Sequence, residues 1–121
     1  GNRYRSSMNY KLIPFDQAKD MIEKNTVLLM DVRTSNEYDL MHIKNAINIP
    51  IQQLEARIKE LDAYKDREII VYCSHSHRSP QASYLLTQNG FNKVTNLQQG
   101  MHIWKATVKD KESNDSLFIA Q

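Results

Sequence analysis

Short apolar runs alternate with amphipathic stretches along the chain, a pattern typical of βα units around a largely parallel sheet. Five runs are rich in aliphatic, β-branched or aromatic residues and predict strands over residues 10–13, 27–32, 46–49, 68–73 and 93–97. The run over 27–32 is apolar almost throughout, as in a strand buried on both faces, so we expect it at the centre of the sheet. The pattern therefore predicts an α/β fold.

The amphipathic stretches between these runs predict helices over residues 15–24, 35–41, 52–61, 81–89 and 100–106. Two of these helices carry boundary residues. Ser35 is the N-cap candidate of the second helix. Ser79 and Pro80 supply an N-cap and a first helical residue ahead of 81–89, and Gly90 supplies its C-cap. The clearest helix in the sequence thus starts shortly after the strand over 68–73.

The length of 121 residues is enough for one hydrophobic core and too short for two. Hydrophobic residues make up 40% and charged residues 25%, as in an ordinary globular domain. We expect one domain over 10–107, a polar N-terminal tail over 1–9 and a C-terminal tail over 108–121. Residues 117–120 are apolar enough to dock on the domain or on a neighbour.

Charge and hydropathy exclude several classes of partner. Sixteen Lys and Arg against fourteen Asp and Glu leave a net charge of +2, which does not indicate nucleic acid. No apolar run approaches the roughly 20 residues of a spanning helix, and the three glycines form no phosphate-binding motif. We expect no nucleic acid partner, no membrane span and no cofactor. We expect a cytoplasmic location, with an exported or anchored form cut upstream of Gly1 as the alternative.

Cys73 is the only cysteine of the chain, and it lies at the end of the strand predicted over 68–73. Open parallel sheets bind ligands beyond the carboxyl ends of their strands. The loop after Cys73 runs toward a helix start, where backbone N–H groups and the helix dipole favour an anion. Because His75, His77 and Arg78 add basic groups to this loop, we expect Cys73 to be an exposed, reactive thiolate.

Two other roles for Cys73 are open from the sequence. A free cysteine is most often a small buried hydrophobe, although the polar, basic loop argues against that role here. Cys73, His75 and His77 are also residue types that bind zinc. Three ligands at this spacing on one loop rarely converge, and a metal would consume the thiolate. We therefore expect no metal site.

Three segments of the chain carry a joint resemblance. In chain order they are LLMDVRTSNEYDLMHIKNAINIP, IIVYCSHSHRSPQASYLLTQNGF and LQQGMHIWK, which begin at residues 28, 69 and 97. Together they resemble the single-domain rhodaneses, a family of thiosulfate-type sulfurtransferases. The match covers about residues 10–105. The chain departs from the family at two turns. Met41 stands where the family often has Gly, and Gln99 with Gly100 stands where it usually has two glycines.

The resemblance implies a five-stranded, mostly parallel sheet with helices on both faces. It implies that Cys73 is the catalytic nucleophile, which takes sulfane sulfur from a small anionic donor such as thiosulfate. The acceptor is then cyanide, a cellular thiol or a sulfur-accepting protein. The residues that cradle the persulfide are Ser74, His75, Ser76, His77, Arg78 and Ser79. Asp31 and Arg33 support this loop, and we also expect a local pair between Arg33 and Glu37.

Two further functions stay open. The domain could carry a persulfide or bind a partner without turnover. It could also be an arsenate reductase or a phosphatase on the same scaffold. Against the latter, the loop from Cys73 to Arg78 has six residues, whereas the related cell-cycle phosphatases have one more, and the chain has no second cysteine to resolve a disulfide.

Overall fold

A computed structural model describes residues 10–24, 27–74, 77–97 and 118–120. Helices and short strands alternate along most of this part of the chain. In chain order they are β1 (Lys11–Ile13), α1 (Phe15–Glu23), β2 (Leu28–Asp31), α2 (Ser35–Leu40), β3 (Met41–Ile43), β4 (Ile47–Asn48), α3 (Ile51–Arg57), a 3₁₀ helix (Ile58–Tyr64), β5 (Ile69–Tyr72), α4 (Arg78–Gln88), β6 (Val94–Leu97) and β7 (Phe118–Ala120).

The main sheet has five strands in the order β1-β6-β5-β2-β4, and every neighbouring pair is parallel. The predicted α/β class and the five strands are confirmed. The expected centre is wrong, because β5 is the middle strand and β2 lies one place from the edge. The edge neighbour of β2 is the two-residue strand β4, yet all four residues of β2 are buried. Full burial of a strand therefore did not identify the middle position.

Helices cover both faces of this sheet, and side chains alternate between the faces along each strand. Val71 of β5 belongs to a buried cluster that includes Leu54 of α3 and Leu86 of α4. Its neighbour Ile70 belongs to a second cluster with Ala18 of α1. Full burial of an aliphatic side chain contributes about 1.5–3 kcal/mol. The two clusters hold the carboxyl ends of β2 and β5 at one edge of the sheet.

Both predicted N-caps are wrong. Thr34, not Ser35, caps α2, and its hydroxyl accepts from the Glu37 N–H while the Glu37 side chain accepts from the Thr34 N–H. Helix α4 starts at Arg78 after His77, so Ser79 lies inside its first turn. The reciprocal bonds of a capping box outweigh the single bond that Ser35 could make.

The end of α4 matches the sequence to within one residue. Asn89 is the C-cap, and Gly90 follows with φ of 90°. The Phe91 N–H donates to the Leu86 carbonyl and the Gly90 N–H donates to the Thr87 carbonyl. These two bonds form a Schellman motif, in which glycine avoids the strain of a left-handed residue.

A second, two-stranded sheet was not predicted. β3 pairs with β7 in antiparallel register, with His42 opposite Ile119. The docking expected of residues 117–120 is thus found for 118–120. The helix predicted over 100–106, the tail over 1–9 and the rest of 108–121 lie outside the described residues. Within the described ranges, no helix is long and apolar enough to cross a membrane.

Candidate functional site

Cys73 follows β5 directly, at the carboxyl edge of the sheet. Its side chain continues the face of Ile69 and Val71 and packs in the cluster beneath α3 and α4. Only 1% of the residue is exposed. The expectation of an exposed thiol is therefore wrong, because the strand alternation points Sγ toward α4 rather than into solvent. The structure nevertheless gives this sulfur a polar partner.

That partner is Ser79, in the first turn of α4. The Cys73 thiol lies 3.3 Å from Ser79 Oγ and donates a hydrogen bond to it. Ser79 is fully buried, so its hydroxyl is held at the sulfur instead of capping the helix. If the thiol ionises, the hydroxyl can rotate and donate to the thiolate. The first turn of an 11-residue helix thus lies beside Sγ, where its dipole favours negative charge.

Glu37 connects the two ends of the loop that follows Cys73. Its carboxylate accepts from Arg78 Nη1 at 2.7 Å and from Arg78 Nη2 at 3.0 Å. The Ser74 hydroxyl also donates to it, at 2.9 Å. The hydrogen bond from Arg78 is the main reason why the pKa of Glu37 is well below its usual range. The same hydrogen bond raises the pKa of Arg78.

Sequence reasoning missed this role of Glu37. The prediction of a local Arg33–Glu37 pair is wrong, because Arg33 pairs with Asp31 and Glu37 pairs with Arg78. The spacing of Thr34 and Glu37 is the signal of a capping box and places Glu37 at a helix start. It carries no information about a partner 41 residues away.

Asp31 and Arg33 form a buried pair at the carboxyl end of β2. Arg33 Nη2 donates to the Asp31 carboxylate at 2.7 Å and Arg33 Nε donates to it at 3.0 Å. Arg33 also donates to the Met41 carbonyl. Tyr72 joins this group, since its hydroxyl accepts from the Ile43 N–H and has a side-chain hydrogen bond with Asp31. Asp31 and Arg33 thus bond to each other, to Tyr72 and to the Met41 carbonyl, and their support of the reactive loop stays a prediction.

Of the remaining loop residues, the structure describes His77. His77 is exposed and precedes α4 without a side-chain capping bond. His75 and Ser76 lie outside the described residues, so their place in the predicted cradle stays a prediction. Among the described residues, no three His, Cys, Asp or Glu side chains are grouped so that they could hold a metal ion.

Comparison with known proteins gives one consistent family. The sequence model of the Rhodanese-like domain matches residues 15–107. Thiosulfate sulfurtransferase GlpE of Coxiella burnetii (strain RSA 331 / Henzerling II) is 30% identical over 107 residues, which cover 88% of this chain and 98% of that protein. The crystal structure of a rhodanese-related protein from Thermoplasma volcanium superposes with a TM-score of 0.73 at 30% identity, over 82% of this chain and 94% of the other.

A second kind of relative contains the same region within a longer chain. The tRNA uridine(34) hydroxylase of Escherichia coli O6:K15:H31 (strain 536 / UPEC) is 32% identical over 95 residues. These residues cover 75% of this chain and 27% of that protein. The region shared with this chain therefore occurs both as nearly a whole protein and as a minor part of a larger one.

Proposed function

The chain belongs to the Rhodanese-like domain family, and we propose that it transfers sulfane sulfur from thiosulfate to a thiophilic acceptor through a persulfide on Cys73. One observation carries the proposal. The single thiol of the chain lies at the carboxyl end of the middle strand, 3.3 Å from a buried hydroxyl at the start of α4. The likeness to a thiosulfate sulfurtransferase along almost its whole length supports it further.

The proposed reaction has two displacements. The Cys73 thiolate attacks the outer sulfur of thiosulfate, a new S–S bond forms, and the old S–S bond breaks with its electron pair leaving on sulfite. The persulfide anion on Cys73 is then attacked at its outer sulfur. Cyanide takes that sulfur as thiocyanate, or a thiolate takes it as a new persulfide, and the Cys73 thiolate is regenerated. No net redox partner is required.

The described residues supply binding and charge stabilisation for these steps. The Ser79 hydroxyl can donate to the thiolate, and the N-terminal dipole of α4 favours the anion at Sγ before and after transfer. We assign recognition of the anionic donor to the loop from Ser74 to Ser79. The proposed acceptor in the cell is a low-molecular-weight thiol or a sulfur-accepting protein, and the proposed location is the cytoplasm.

The six-residue loop from Cys73 to Arg78 favours the sulfurtransferase over the phosphatase or arsenate reductase, since the related cell-cycle phosphatases have one residue more. The pairing of both Arg78 Nη atoms with Glu37 does not separate these reactions, because thiosulfate is a tetrahedral oxyanion like phosphate and would compete with the same carboxylate.

Intact mass tests the proposal. The purified protein is incubated with thiosulfate, measured, and measured again after cyanide is added. We expect a gain of one sulfur atom that cyanide removes, and no gain in the Cys73→Ser variant. Loading without release to cyanide or to thiols would favour a persulfide-carrying module, and absence of any adduct on the unmodified chain would overturn the proposal.

A further inference from the structure

The Glu37 carboxylate has more hydrogen-bond donors around it than a surface ion pair requires. Besides Arg78 and Ser74, the Thr34 N–H and the Thr34 hydroxyl each donate to Oε1 at 3.0 Å. The side chains of Glu37 and Arg78 are 32% and 27% exposed, so the pair is partly shielded from water. Charge-assisted hydrogen bonds of this kind are the stronger ones in proteins.

The helix that carries Glu37 is itself fixed. The Tyr38 hydroxyl donates to the Ala46 carbonyl at 2.6 Å, and Arg33 donates to the Met41 carbonyl just after α2. The capping bonds with Thr34 fix the start of α2. These bonds fix α2, and with it Glu37, beside the buried carboxyl end of β2.

We infer that Glu37 is a positioning residue that fixes Ser74 and Arg78, the residues on either side of the loop that follows Cys73. Ser74 is the first residue after the nucleophile and Arg78 is the last residue of the loop. One carboxylate binds both, so the loop cannot shift at either end without losing a charge-assisted bond. Cys73 itself is 1% exposed, so a reagent reaches Sγ only when the residues around it move. The role of this arrangement in catalysis rests on the proposed sulfur transfer.

The arrangement leads to two effects of opposite direction when Glu37 is replaced. Release of Ser74 and Arg78 lets the residues around Sγ move more freely, so alkylation of the buried Cys73 becomes faster. The same loosening misplaces the groups that receive the donor, so sulfur loading becomes slower, because small misplacements of a reacting group cost up to about 100-fold in rate. A residue that only neutralised the charge of Arg78 would not separate the two rates in this way.

The test measures both rates in Glu37→Gln. Glutamine keeps the shape of the side chain, but it is uncharged and has one acceptor oxygen instead of two. We expect iodoacetamide to alkylate Cys73 about 10-fold faster and thiosulfate to load it about 10- to 100-fold more slowly than in the unmodified protein. Arg78→Lys keeps the positive charge but loses the planar fork, so the same divergence is expected there. The Arg78→Lys variant also tests the positioning role if Glu37→Gln fails to fold.

Glu60→Gln is the matched control, because Glu60 on the 3₁₀ helix ahead of β5 pairs through both carboxylate oxygens with Arg57 at the end of α3. Neither rate should change there. If both rates in Glu37→Gln and Arg78→Lys match the control, the positioning role is overturned. Alkylation needs no sulfur donor, so if the unmodified protein fails to load, the proposed function fails while the alkylation rates still decide whether Glu37 fixes Ser74 and Arg78.

Discussion

Glu37 and Arg78 lie 41 residues apart in the chain and meet in a two-oxygen ion pair, with Nη1–Oε1 at 2.7 Å and Nη2–Oε2 at 3.0 Å. The topology explains the meeting. β2 and β5 are parallel neighbours, so their carboxyl ends lie at the same edge of the sheet. α2 starts shortly after β2 and α4 starts shortly after β5, and each helix start presents one member of the pair.

The Glu37–Arg78 pair predicts a pH dependence of stability on the acid side. The hydrogen bond from Arg78 lowers the pKa of Glu37 below the unfolded value of 4.5, so the folded chain prefers the ionised form. The stabilisation is fully present above pH 4.5 and is lost as the pH falls below it. Urea unfolding should show Glu37→Gln less stable by about 1–2 kcal/mol at neutral pH. That difference should shrink toward pH 3, and a difference independent of pH would contradict the ionic origin.

The Asp31–Arg33 pair predicts a larger loss of stability. Both side chains are almost fully buried, and removal of one partner leaves the other charge uncompensated. Asp31→Asn should lower the free energy of unfolding by about 3–5 kcal/mol. Glu23→Gln is the control, because its pair with Lys19 is on the surface with a 3.9 Å separation and contributes only about 0.3–0.5 kcal/mol. Equal losses in the two variants would show that the buried pair contributes no more to the free energy of unfolding than a surface pair.

Short-range sequence patterns predicted the fold class and the position of the nucleophile. The β-branched run before Cys73 and the polar loop after it are adjacent in the chain, so the strand end could be predicted. The pairing of Glu37 with Arg78, and of β3 with β7, depends on how distant segments meet, and a single sequence contains no measure of that. The start of α4 was missed for a related reason. Ser79 has the preferences of an N-cap, but contact with Sγ determines its place.

Tyr72 predicts a loss of stability on the alkaline side. Its burial raises the pKa of the phenol well above 10, and the nearby charge of Asp31 adds to the shift. The contribution is fully present below pH 10 and is lost as the pH rises above it, since only the unfolded chain ionises readily. Tyr72→Phe should cost about 1–3 kcal/mol at neutral pH, because it leaves the buried Ile43 N–H without its acceptor. It should also flatten the alkaline decline, whereas Tyr64→Phe, at a partly buried residue, should preserve it.

Ser79 and Ser83 offer a matched pair of deletions one turn apart on α4. Both are fully buried, so replacement by alanine changes little in packing. The Ser79 hydroxyl lies at Sγ, and loss of one hydrogen bond to a charged sulfur should slow thiosulfate loading about 10- to 100-fold. The Ser83 hydroxyl has no hydrogen-bond partner within the part of the chain that the structure describes. Ser83→Ala should therefore load at the unmodified rate and be equally or slightly more stable. Equal loading by the two variants would remove Ser79 from the proposed mechanism, and intact mass against time measures both.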